Sequence, residues 1–170
     1  MEGLRALLSP LVVLLFGADL PGQPIVELKG HTAPVYAVAF SPEGRYLATA
    51  GFDQVIKIWD LRNGTSPRTF SCGSGKILTL AYSPDGRWLS AAGSEGSIQI
   101  CDVAQGKEKL ELPAQEGYVY AVAFSPDGRR LLSCGADGLV RAWDVRDREV
   151  CATLGFRGCP LYAVAIASDS

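Results

Sequence analysis

One segment recurs along this chain at a constant interval of 42 residues, and that regularity limits the fold more than any other feature. It reads VYAVAFSPEGRYLATAG from Val35, ILTLAYSPDGRWLSAAG from Ile77, VYAVAFSPDGRRLLSCG from Val119 and LYAVAIASDS from Leu161. A period of this size marks tandem supersecondary units that bury apolar surface against one another rather than each alone. Within a unit the signals are those of four short strands. The apolar run Val35 to Phe40 ends in Ser41-Pro42-Glu43-Gly44, where Pro presets φ at the second position of a type I turn and Gly closes the fourth. Tyr46 to Ala50, Val55 to Trp59 and the stretch near Arg68 to Ser71 supply the other strands, separated by Gly51-Phe52-Asp53-Gln54 and by Asn63-Gly64. The same turns return at Ser83-Pro84-Asp85-Gly86 and Ser125-Pro126-Asp127-Gly128, and again at Gly93-Ser94-Glu95-Gly96 and Gly135-Ala136-Asp137-Gly138. Four-stranded meanders in tandem are expected, and 19 Gly and 10 Pro suit so many tight turns.

The pair Gly30-His31 followed by Trp59-Asp60 resembles the WD-repeat family, with Trp143-Asp144 closing the third unit and a degenerate Cys101-Asp102 closing the second. The likeness runs from about Ile25 to Ser170. It implies an all-β fold: a β-propeller arc of four-stranded antiparallel blades, forming an incomplete ring. Repeats fall at about 27–68, 69–110 and 111–152, with a partial repeat at 153–170. Because the sequence repeat of that family is offset from its blade, Ile25 to Leu28 resembles the outer strand of a preceding blade, and Leu161 begins a fourth blade cut after its first strand.

The resemblance also implies a hydrogen-bonded relay from a strand-three Trp through a Ser or Thr to His and a turn Asp. In the first repeat these are Trp59, Thr49, His31 and Asp53. Such a chain is chemically sound, since a buried indole N–H needs an acceptor, a hydroxyl both accepts and donates, and a carboxylate fixes an imidazole tautomer. A His beside an Asp is also the outline of a catalytic dyad, but at this spacing a structural role is expected. The third repeat keeps Ser133, Asp137 and Trp143 with Gln115 where His would stand; the second has Gly73, Ala91, Glu95 and Cys101. On this ground alone the first blade is expected to be the most rigid and the second the loosest.

By the same resemblance the partner face carries the residues at the start of strand one and just before the turn acid. They are Pro34, Tyr36 and Phe52; Lys76, Leu78 and Ser94; Tyr118, Tyr120 and Ala136; and Pro160 and Tyr162. Tyr36, Tyr120 and Tyr162 repeat at one position, and tyrosine at an exposed mouth favours protein interfaces because it buries a large area at small entropy cost. The alternative is that these rings line the central channel or fill packing between blades.

Composition narrows the function further. A net charge of −2 with 16 scattered basic residues argues against a nucleic-acid partner, whose binding draws on clustered Lys and Arg. One histidine and five cysteines without paired spacing signal no metal site, no disulfide framework and no cofactor, and the cysteines read as small apolar residues. The carboxylates recur with the repeat, as turn residues do, so no enzyme is expected. Residues 1–22 form an apolar leader centred on Ala6 to Ala18, too short for a spanning helix but of signal-peptide length. Arg5 is cancelled by Glu2, Pro10 interrupts the run and no clean cleavage site follows, so two readings stand: an export or membrane-associated leader, or a segment that packs on the propeller. Location is accordingly left open between cytoplasm and export, and membrane contact follows only if the leader is retained.

Closed propellers typically need four to eight blades. Three therefore suggest either part of a longer propeller or self-association through exposed blade edges, although the missing middle strands at both junctions disfavour neat closure in trans. The leading expectation is a non-catalytic protein–protein interaction scaffold whose partners are other proteins. The alternative is a regulatory or sensor propeller segment of a larger protein, itself an enzyme or not.

Overall fold

A computed structural model describes residues 11–13, 26–64, 66–71, 75–113, 115–156 and 158–167. Every regular element among them is a strand. A short pair, β1 (Leu11–Val13) and β2 (Val26–Leu28), is antiparallel with Leu11 opposite Leu28 and Val13 opposite Val26. Thus part of the apolar leader pairs with the strand expected at Ile25 to Leu28, while the rest of the leader lies outside the described residues. Among the described residues no helix is long and apolar enough to cross a membrane.

Three four-stranded antiparallel meanders follow. The first comprises β3 (Val35–Phe40), β4 (Tyr46–Gly51), β5 (Val55–Asp60) and β6 (Arg68–Ser71). The second comprises β7 (Ile77–Tyr82), β8 (Trp88–Gly93), β9 (Ile98–Asp102) and β10 (Lys107–Leu112). The third comprises β11 (Val119–Phe124), β12 (Arg130–Gly135), β13 (Leu139–Asp144) and β14 (Glu149–Gly155). Their turns close as the sequence requires: Gly44, Gly86 and Gly128 donate backbone N–H groups to Ser41, Ser83 and Ser125 carbonyls at 2.8, 2.9 and 2.8 Å. Strand β7 packs against both β3 and β11, so the first strands of successive sheets lie side by side and the sheets form an arc of blades without a closed ring.

The apolar core lies between blades. Ala48, Ala50, Ile56 and Ile58 of the first sheet meet Leu80, Leu89, Ala91 and Cys101 of the second. On the opposite face of the second sheet Ala92, Ile98 and Ile100 meet Val122, Leu131 and Trp143 of the third. Alternation along β8 and β9 thus sends successive residues to different neighbours, and both faces of the middle sheet must be apolar. At roughly 1.5–3 kcal/mol for each large side chain removed from water, these two layers are the main source of stability. Equivalent positions outside them show the difference: Leu80 and Val122 are 8% and 7% exposed, whereas Val38, 42 residues before Leu80, is 52% exposed, with no blade among the described residues covering it.

One strand departs from expectation. Residues 161–167 carry no ladder. Leu161 instead donates its N–H to the Gly135 carbonyl at 2.9 Å and accepts from the Cys134 thiol at 3.4 Å. A first strand takes its ladder from the second strand of its own blade, and among the described residues no strand follows β14 to supply one.

Candidate partner-binding face

Register assigns the two ends of each meander. Val35 opposite Gly51 and Val55 opposite Ser71 mark one end, the mouth, while Phe40 opposite Leu47 and Tyr46 opposite Asp60 mark the other. At the mouth each first strand carries a bulge, between Val35 and Ala37, Ile77 and Thr79, and Val119 and Ala121. The unpaired residues are Tyr36, Leu78 and Tyr120. A bulge leaves one residue out of the ladder and re-aims its side chain, so the periodic tyrosine position is set by a local break in pairing.

A second device fixes the residues around each bulge. Phe52, Ser94 and Ala136 donate backbone N–H groups to the carbonyls of Pro34, Lys76 and Tyr118 at 3.0, 3.0 and 2.9 Å. The chain passes so close there that a Cβ at Gly51, Gly93 or Gly135 would run into those same carbonyl oxygens. Glycine is required for close approach, and it holds the three candidate positions of each blade together.

The structure gathers these side chains into two groups. Tyr36, 60% exposed, stacks on Phe52 with ring centres 4.5 Å apart, and Lys76 Nζ lies 4.9 Å above the Phe52 ring. Tyr120 stacks on Tyr162 at 4.8 Å, with Tyr118 tilted against Tyr120 at 6.1 Å. Pro34, Tyr118, Pro160 and Tyr162 are exposed; Leu78, Ser94 and Ala136 are half-buried. The tyrosines of the first and third blades therefore belong to different clusters, separated by Lys76 and Leu78.

Behind the mouth lies the polar relay. Trp59 Nε1–H donates to Thr49 Oγ1 at 2.9 Å, Thr49 donates to His31 Nε2 at 2.7 Å, and His31 Nδ1–H donates to Asp53 Oδ2 at 2.7 Å. That chain assigns the His31 proton to Nδ1. The same carboxylate oxygen accepts the Thr32 N–H at 3.0 Å. In the third blade Trp143 donates to Ser133 at 2.8 Å and Ser133 to Gln115 Oε1 at 2.8 Å, while Asp137 pairs with Arg141 at 2.5 Å. Gln115 thus takes the histidine's place as acceptor, although it does not extend the chain to Asp137. Sequence reading located Gln115 but gave it no part; its amide oxygen, 18 residues before the hydroxyl as in His31 and Thr49, was the available signal.

A further role was missed at the Asp of each Trp-Asp or Cys-Asp pair. Asp60 Oδ1 accepts the Arg62 and Asn63 N–H groups, Asp102 Oδ1 those of Ala104 and Gln105, and Asp144 Oδ1 those of Arg146 and Asp147. Each organises the turn after strand three. Asp60 also receives Arg45 at 2.8 Å, and that guanidinium holds its carboxyl down to about 2. Among the described residues no group of three or more His, Cys, Asp or Glu is arranged to hold a metal ion. The turn carboxylates Asp85 and Asp127 are engaged by Ser83 and Ser125, each at 2.5 Å.

Against this geometry, the family profile described as WD domain, G-beta repeat matches residues 22–60, 64–102 and 106–144. The chain belongs to the WD40 repeat family. Among its relatives, Ribosome assembly protein 4 of Saccharomyces cerevisiae is 50% identical over 48 residues, 28% of this chain and 9% of the relative. The SAGA complex subunit Spt8 of Schizosaccharomyces pombe is 35% identical over 66 residues, 39% of this chain and 12% of the relative. The COMPASS component SWD3 of Saccharomyces cerevisiae is 41% identical over 51 residues, 30% and 16% respectively. The WD40 chain spans less than a fifth of the length of each.

Proposed function

We propose that this chain is a non-catalytic protein-interaction scaffold whose mouth, built on the bulged residues Tyr36, Leu78 and Tyr120, takes its protein partners. The observation that carries the reading is the exposed Tyr36 ring, set by a bulge and stacked on Phe52 beside the close-approach Gly51, together with the exposed Tyr162 ring stacked on the bulged Tyr120. Rings held in place before binding lose little further freedom when a partner covers them. Membership of WD40-repeat chains in named complexes supports the same reading at the level of class. Its test is a chain carrying Tyr36→Ala and Tyr120→Ala: a protein that crosslinks to the unaltered chain is expected to be lost from the variant while the urea midpoint holds. Retention of that partner would overturn the assignment.

A second reading, a regulatory segment within a larger protein, rests on the small share of each relative that the chain covers. It adds self-association through the uncovered faces bearing Val38 and Phe40 at one end and Leu154 at the other. Sedimentation equilibrium with a urea melt separates the cases: a cooperative species of fixed stoichiometry supports the arc as a working unit, and broad aggregation supports the segment reading.

A further inference from the structure

The end of the arc opposite the mouth contains an internal comparison. Between the first and second blades the groove is shut. Arg68 Nη1 donates to the Ala104 carbonyl at 3.4 Å and its guanidinium lies 5.9 Å from the Tyr46 ring, leaving a cavity of about 150 Å³ beside it. Between the second and third blades, 42 residues on, Leu110 stands where Arg68 was and Trp88 where Tyr46 was. The groove there opens to about 770 Å³.

Its walls combine two chemistries. Trp88, Ile100 and Leu110 supply an apolar floor, and Arg129, Arg146 and Arg148 line the same groove. All three arginines are exposed, and none makes an ion pair among the described residues, whereas Arg45, the counterpart of Arg129 in the first blade, is held by Asp60. Two carboxylates share the lining. Asp144 Oδ1 accepts the turn N–H groups of Arg146 and Asp147, and with Asp144 and Asp147 both charged the three arginines still leave the lining net positive.

The backbone sets Arg148 apart as well. The first two blades place Gly64 and Gly106 at this turn position with φ of 56° and 62°; Arg148 adopts φ of 62° there. A side chain in the left-handed region is strained, so folding alone favours glycine. Gln54, with φ of 63° where the later blades have Gly96 and Gly138, shares that conformation, but Arg148 is the one of the two that lines this groove.

We propose that this groove is a second binding site, distinct from the mouth, for an acidic peptide segment that carries an apolar anchor. Guanidinium groups take carboxylates through paired hydrogen bonds, and the anchor fills the floor against Trp88 and Leu110. A polyanion without apolar groups leaves that floor wet.

Two displayed peptide libraries test the proposal on the full chain, one mixing Asp and Glu with large apolar residues, the other mixing Lys and Arg with the same residues. Binders are expected from the acidic library alone. Arg146→Glu is expected to weaken a selected peptide by about tenfold or more, since a charge-assisted hydrogen bond is worth about 1.5–3 kcal/mol. Leu110→Arg is expected to abolish binding although it adds a positive charge, because it restores the strut that shuts the first groove. Arg148→Gly separates binding from folding: its urea midpoint is expected to hold or rise while peptide affinity falls. No acidic binders, equal capture from the basic library, tighter binding to the Leu110→Arg chain, or full affinity in Arg148→Gly would each overturn the proposal.

Discussion

Thr49 Oγ1 accepts a hydrogen bond from the Trp59 indole N–H and donates one to His31 Nε2, so a single hydroxyl satisfies two buried groups. Thr49→Val keeps the shape and removes both bonds. The expected loss is about 1–3 kcal/mol, measured as a shift in urea midpoint. Asp60 gives a pH signature. Its carboxyl is depressed to about 2 in the folded chain, chiefly by Arg45, from an ordinary value of 3.8. A lowered folded-state value contributes stability that is complete above the unfolded value and is lost as pH falls through the folded one. The decline is therefore expected between pH 3.8 and about 2, and Asp60→Asn should flatten that part of a stability-against-pH curve without altering its shape near neutrality. Asp85 and Asp127, lowered by the Ser83 and Ser125 hydroxyls, supply a remaining slope of the same sign.

At the scale of the element, two glycines that look alike in sequence have different duties. Gly44 has φ of 69° and open space around its Cα, so Gly44→Ala carries only the left-handed penalty, about 1 kcal/mol. Gly51 faces the Pro34 carbonyl, so Gly51→Ala must displace backbone; a larger loss, about 1–3 kcal/mol, is expected together with weakened partner capture. Paired urea melts compare them directly. The strands themselves were legible: β3 runs from Val35 to Phe40 and β6 from Arg68 to Ser71 as the turn chemistry predicts, and β4 and β5 extend one residue further. The candidate mouth positions followed from the family resemblance, not from the spacing alone. The bulges were not legible, because VYAVAF reads as an unbroken run and the slip arises only on pairing with β4 or β12. Nor was the open groove, which depends on what Leu110 fails to reach.

For the whole arc, burial predicts a different order of rigidity from the one that relay residues alone suggest. The second blade lacks the relay, yet β9 is buried along its length and both faces of its sheet are covered, while β14 is exposed throughout. Amide exchange is expected to be slowest in β8 and β9, and fastest in β14; best protection in β4 and β5 would return the decisive role to the relay. Association through the uncovered ends is expected to fall in Val38→Lys and Leu154→Lys chains, read by sedimentation. Because each 42-residue unit presents one apolar face forward and another backward, a copied unit arrives with both seams already matched to its neighbours. Duplication of such a segment lengthens the arc without inventing a new interface, so the number of blades is open to change by recombination while the surface residues of each blade diverge independently.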